Sequence, residues 1–118
     1  MPRVLILSRD LMFPSNLAGT LALEGIDAEI VADPARCGEL AAGDLVIVDL
    51  TEPGADPAAL RAAIPDGVLT LAYFAHVEPQ VREAALASGI ERVYPRSRVA
   101  REGASLVAPA LSLSLIHI

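Results

Sequence analysis

Lysine is absent from this chain of 118 residues, and all nine basic residues are arginine. Without lysine there can be no GxxxxGKS or GxxxxGKT loop, which excludes a P-loop nucleotide hydrolase. Tryptophan is absent too, and aromatic residues make up only 3% of the chain, too few for a platform on which single-stranded bases stack. The lone cysteine, Cys37, can form neither an internal disulfide nor a cysteine-rich zinc site. No stretch approaches the roughly 20 apolar residues of a membrane span. The opening MPRVLIL places a charge before an apolar run, but that run stops at Ser8, Arg9 and Asp10. It is too short for a signal-peptide core, and no small-residue cleavage site follows, so a cytoplasmic location is expected. No GxGxxG follows the first predicted strand, where SRDLMFP stands instead, and HExxH, CxxC and GxSxG are also missing.

What is present is the composition of a folded domain. Apolar residues make up 53% and charged residues 20%, enough to bury a core and unlike a disordered tail. The length suits one domain. A net charge of -6 argues against a general nucleic-acid binder, whose phosphate-contacting face needs a basic excess.

The patterning predicts five strand–helix repeats. Val4–Leu7 is a short run of branched apolar residues, as in a strand buried on both faces. Pro14 suits a first helical turn, Leu17, Ala18, Leu21 and Ala22 recur at helical spacing, and Gly25 ends the segment. Residues 26–32 form a second strand with Ile26, Ala28 and Ile30 on one face. Asp33-Pro34 and Asp56-Pro57 each read as an N-cap followed by a first-position proline. The first opens a short helix closed near Gly43, and the second opens a helix through Ile64. Between them Leu45–Val48 is the clearest central strand, ending at Asp49. Pro65-Asp66-Gly67 is a turn before a strand over 68–74. A helix over 78–88 follows, with Val81, Ala84, Ala85 and Leu86 inward and Gly89 at its end. Strand 90–94 and a last helix over 99–110 complete the domain, residues 1–110. The remaining segment, LSLSLIHI, alternates like a strand and resembles translated sequencing-adapter sequence. Residues 111–118 are therefore expected to be a non-native tail, with room for an output domain beyond Ala110, and His117 carries no functional weight.

Short connections between alternating strands and helices imply a parallel sheet with helices on both faces, because crossovers return right-handed. Ligand sites in such folds lie outside the carboxyl ends of the strands. That rule gathers Ser8, Arg9 and Asp10 after the first strand and Asp49 and Thr51 after the third. Ala75 and His76 follow the fourth, and Pro95, Arg96, Ser97 and Arg98 the fifth.

These residues carry a resemblance to the receiver domain of bacterial response regulators, across about residues 3–110. DLVIVDLTEP sets Asp49 and Pro53 at the spacing of that family's phosphoacceptor strand, and FAHVEPQVREAALASGIERVYPRS matches the region from its fourth to its fifth strand without a gap. The resemblance implies a flavodoxin-like (βα)5 doubly wound five-stranded sheet, with Asp49 as the phosphoacceptor-like residue. The site matches poorly. Ser8 and Arg9 stand where receivers keep an acidic pair for magnesium, and Asp10 is one step further along. Phe74 takes the place of the hydroxyl residue ending strand four, with Ala75 as the small residue after it. Arg96 takes the place of the lysine and Ser97 that of its proline. Val93 falls on the aromatic switch position, with Tyr94 one place off and on the opposite face.

Phosphorylating an aspartate requires a hard cation that neutralises and aligns the phosphoryl group. Asp10 and Asp49 are the two carboxylates available to Mg2+, but Arg9 would set a fixed charge where the metal belongs. Like charges at ~4 Å repel by a few kcal/mol at an effective dielectric of ~20. The simpler expectation is no cofactor, with Arg9 or Arg96 paired to Asp49 in place of metal and phosphate. A strand-end carboxylate that merely pairs locally is the bland reading of Asp49. Arg96 and Arg98 either form an anion site together or divide, one into the pocket and one onto Glu102. His76 is either a titrating loop residue or simply solvent-exposed. Cys37, Met12 and Phe13 are expected to pack.

Two functions follow as expectations. The first is a non-enzymatic receiver-like signalling domain of two-component or phosphorelay type with a degenerate acceptor site. It would act by contact with a histidine kinase or an output protein. The resemblance implies that contact runs through the family's fourth helix, fifth strand and fifth helix. The second is a flavodoxin-like domain binding a small anion or phosphate ester through Ser8, Thr51, His76, Arg96 and Arg98.

Overall fold

The structure, a computed structural model, describes residues 2–75 and 79–116. Strand β1 (Val4–Leu7) leads into helix α1 (Met12–Leu23), and β2 (Ala28–Val31) into a 3-10 helix over Pro34–Glu39. Then come β3 (Leu45–Asp49), α2 (Pro57–Ala62), β4 (Leu69–Phe74), α3 (Pro79–Ala87), β5 (Arg92–Pro95) and α4 (Arg96–Ile116). All pairings are parallel, in the order β2-β1-β3-β4-β5. This is the flavodoxin-like doubly wound arrangement.

Strand β1, and β3 up to Val48, are apolar because both their faces are covered. Leu5, Leu7, Val46 and Val48 point to the side of the 3-10 helix, α2 and α3. Val4, Ile6, Leu45 and Ile47 point to the side of α1 and α4. Leu5, Ile6, Leu45 and Ile47 are fully buried, each contributing roughly 1.5–3 kcal/mol of transfer free energy. Ile26, Ala28 and Ile30 share the α1/α4 side as expected, and Cys37 is fully buried on the other.

Local signals set the element ends. Asp33 accepts the Ala35 N–H, and Asp56 accepts those of Ala58 and Ala59, capping the 3-10 helix and α2. Gly25 follows α1 with φ 79° and Gly89 follows α3 with φ 97°. At each, the residue beyond the glycine donates five positions back, Ile26 to Leu21 and Ile90 to Ala85, the closing pattern that left-handed glycine permits.

Several expectations are corrected. On α3 only Ala85 is buried, with Val81 partly so, while Ala84 and Leu86 are exposed. Val81 and Ala85 stack one turn apart, and Ala84 and Leu86 flank that line by about 100° each. Met12 is 77% exposed, whereas Phe13 packs. Helix α4 starts three residues before the expected Val99, directly from β5. It breaks at Glu102 (φ -126°, ψ 15°) and continues helically past Ala110 to Ile116. Leu111 is partly buried against the α1/α4 core. The helix past Ala110 thus replaces the strand expected from the alternating LSLSL. Both flanking strands, β2 and β5, are four residues long. Glu29 on β2 pairs with Arg3 and Arg36. Among the described residues, no helix is long and apolar enough to cross a membrane.

Candidate functional site

The carboxyl ends of β1, β3 and β4 bring Ser8, Asp49 and Tyr73 together on the α1/α4 side of the sheet. The Ser8 N–H donates to the Val31 carbonyl, carrying the β1–β2 pairing one residue past β1. Asp49 is opposite Tyr73 in the β3–β4 register, and the Leu50 N–H donates to the Tyr73 carbonyl. The side-chain alternation that buries Ile6, Ile47 and Leu71 on one side therefore directs the next residues of that parity, Ser8, Asp49 and Tyr73, to the same side.

Asp49 is 7% exposed, and its carboxylate accepts three hydrogen bonds. The Ser8 hydroxyl donates to Oδ2 at 2.6 Å. The Thr51 N–H and hydroxyl both donate to Oδ1, at 2.8 and 2.6 Å. The N–H contact closes an Asx turn, which fixes the chain as it leaves β3. Ser8 Oγ also accepts the Asp10 N–H at 3.1 Å. A buried carboxylate loses its hydration, and these donors replace it.

Tyr73 is the residue that sequence reasoning missed. Its hydroxyl lies beside Ser8 and Asp49 and is buried without a well-formed hydrogen bond. Burial, and then the Asp49 carboxylate, hold its phenol well above the ordinary value of 10. Phe13 packs on the Tyr73 ring at 4.8 Å between centroids. The Arg96 guanidinium lies 5.8 Å from the centroid of Phe13, a cation–π contact. The period-2 pattern of β3 and β4 carried the signal for Tyr73, provided their register was known.

The remaining candidates are dispersed. Among the described residues no ion pair joins Arg9 or Arg96 to Asp49, so the expected Arg9–Asp49–Arg96 cluster is absent. Ser8 and Thr51 supply the donors instead, and the start of α4 carries Arg96 towards Phe13. Arg98 pairs with Glu102 at 3.3 Å and covers the Tyr94 ring at 4.8 Å. Arg96 and Arg98 are thus held by different partners. Asp10 is exposed and accepts the Leu11 N–H. Phe74, which has no hydroxyl to offer, packs into the opposite core. Ala75 borders a cleft of about 380 Å3 with Thr51 and Phe74. His76 and His117 lie outside the described residues.

A magnesium ion, which the receiver resemblance implies, requires several oxygen ligands at near-octahedral positions. Both lone-pair directions of Asp49 Oδ1 are engaged by Thr51, Ser8 engages Oδ2, and the buried Tyr73 phenol lies alongside. Among the described residues no three His, Cys, Asp or Glu side chains converge. This donor set does not fit the ion.

No protein-family model matches the chain, and no curated protein matches it. Solved structures do resemble it. One is from Burkholderia pseudomallei and is described as a pilus assembly-related protein, with TM-score 0.69, 17% identity and coverage of 95% of this chain and 90% of that one. Another, from Sinorhizobium meliloti, is described as a CpaE2 pilus assembly protein, with TM-score 0.68, 13% identity and coverage of 92% and 98%. At these identities the likeness establishes the fold: a flavodoxin-like, receiver-like α/β domain with a five-stranded parallel sheet.

Proposed function

We propose that the chain is a receiver-like signal-transduction domain of two-component or phosphorelay type whose acceptor site is degenerate. It acts by protein–protein contact, catalyses no reaction and needs no metal. The observation that carries this reading is the Asp49 carboxylate with three donors already on it, from Ser8 and Thr51, and Tyr73 against it. An acceptor aspartate must offer a free oxygen to the phosphoryl group and share another with a cation. A three-donor clamp opposes both. The partner is a histidine kinase or an output protein, met on the face of α3, β5 and α4, and the setting is the cytoplasm. The two similar structures described above bear pilus-assembly descriptions, which agrees with a domain working inside a protein assembly. The small-anion alternative has less support, because Arg96 and Arg98 are separately engaged.

The test is incubation with magnesium and acetyl phosphate followed by intact mass measurement. The mass is expected to stay unchanged. A phosphoryl adduct that disappears in Asp49→Asn would overturn the degenerate reading.

A further inference from the structure

Helix α1 carries no charged residue, although 20% of the chain is charged. Each of the other helices bears at least one: Arg36 on the 3-10 helix, Arg61 on α2, Arg82 on α3 and Arg98 on α4. The uncharged stretch covers residues 11–23, and a second one follows Glu102 on α4, at residues 103–111. The two stretches pack together at Leu17 and Gly103, so closely that a Cβ on Gly103 would lie 2.9 Å from the Leu17 side chain.

Large apolar side chains stand open to water on this surface. Leu11, Met12 and Leu23 are 74%, 77% and 86% exposed. Among the described residues the only other exposed large apolar side chain is Leu86, at 38%. Met12 and Leu23 are the first and last residues of α1. Their separation is close to three full turns, so they lie on one line along the helix, about 16 Å apart. Between them on that line are Asn16 and Gly19, both exposed, and nothing lies within 4 Å of a Cβ added to Gly19. Charges sit just past the two ends. Arg9 precedes the helix and Glu24 follows it, both exposed, and among the described residues neither has an ion pair.

This face is complementary to itself. A two-fold axis through its middle, near Asn16 and Gly19, lays one α1 antiparallel on another. Met12 of each copy then meets Leu23 of the other, Arg9 comes to Glu24, and Gly19 lets the helices approach where they cross. Within one copy Arg9 and Glu24 cannot meet, because the whole of α1 separates them. Apolar burial favours the contact, and the two free charges match only in the antiparallel sense. Chains of net charge -6 repel one another elsewhere.

Independently of the partner reading above, we propose that the exposed face of α1 is a homodimer interface, its occupant a second copy of this chain. The contact is isologous and antiparallel. It leaves α3, on the other side of the sheet, free.

The test is sedimentation equilibrium of the full chain over a concentration series, in which a monomer–dimer equilibrium is expected. Leu23→Asp is expected to weaken the dimer by about tenfold, the scale of a lost apolar contact. Because Leu23 is exposed in the monomer, its circular dichroism stays unchanged. Arg9→Glu and Glu24→Arg are each expected to weaken the dimer by about threefold, and the double variant to restore it. Leu86→Asp, on α3, leaves the dimer intact. A chain that is monomeric at every concentration would overturn the proposal, as would a dimer lost in Leu86→Asp but kept in Leu23→Asp. A double variant no tighter than its single parents would overturn the antiparallel pairing. A monomer that floats with phosphatidylcholine vesicles, and ceases to do so as Leu23→Asp, would assign the face to a membrane instead.

Discussion

The Ser8 hydroxyl donates to Asp49 Oδ2 at 2.6 Å, joining the carboxyl ends of two adjacent strands. Ser8 is 5% exposed and Asp49 7%, so water cannot readily replace the lost donor. Ser8→Ala is expected to lower stability by about 1.5–3 kcal/mol, the range for a hydrogen bond to a charged group. Urea unfolding of the two proteins measures it, and a change below about 0.5 kcal/mol would remove Ser8 from the clamp.

Rebuilding the acidic pair should create what the natural donor set lacks. Ser8→Asp with Arg9→Asp adds two carboxylates beside Asp49 and deletes a cation. Magnesium is expected to raise the melting temperature of this double variant and to leave the parent chain unchanged. Linkage between binding and folding makes that shift grow with ion concentration.

Alkaline pH should act through Tyr73. Its phenol is held above the ordinary value of 10, chiefly by burial and then by Asp49. The folded state therefore keeps a proton that the unfolded chain releases once pH passes about 10. The stabilisation is complete below that pH and is lost as pH rises towards the folded value. Melting temperatures measured from pH 8 upward are expected to fall above about 10, and Tyr73→Phe should flatten that fall. An unchanged slope in the variant would show that other groups dominate.

Gly67 supplies a conformational test away from the site. Its φ is +85°, and an added Cβ would lie 3.0 Å from the Cβ of Ala42. Gly67→Ala is expected to cost about 1–2 kcal/mol through left-handed strain and that contact. Thermal unfolding checks it.

Much of this architecture is legible in the sequence because its signals are local. The branched runs of β1 and β3, the Asp33 and Asp56 caps, and Gly25 and Gly89 each act within a few residues. Ser8, Asp49 and Thr51 are also readable, since a doubly wound sheet puts function at its strand ends. Tyr73 is not, because its reach depends on which residue of β4 lies opposite Asp49. The two arginines mislead for a similar reason. Formal charge points Arg9 and Arg96 at Asp49, but nearby hydroxyl donors claim the carboxylate first, and an early helix start turns Arg96 onto Phe13. On α3, about two and a half turns of helix leave room for one inward line, so an alanine-rich stretch overstates how many residues are buried.

The two flanking strands bear on how copies and partners can meet. β2 and β5 offer only four residues each. Glu29 holds an ion-paired charge on one border, while Arg92 and Pro95 interrupt the other. Short, charged or proline-bearing borders are poor templates for a further strand. The sheet is thereby discouraged from extending itself by backbone pairing, and assembly is left to side chains on the helices and on the loops above the strand ends.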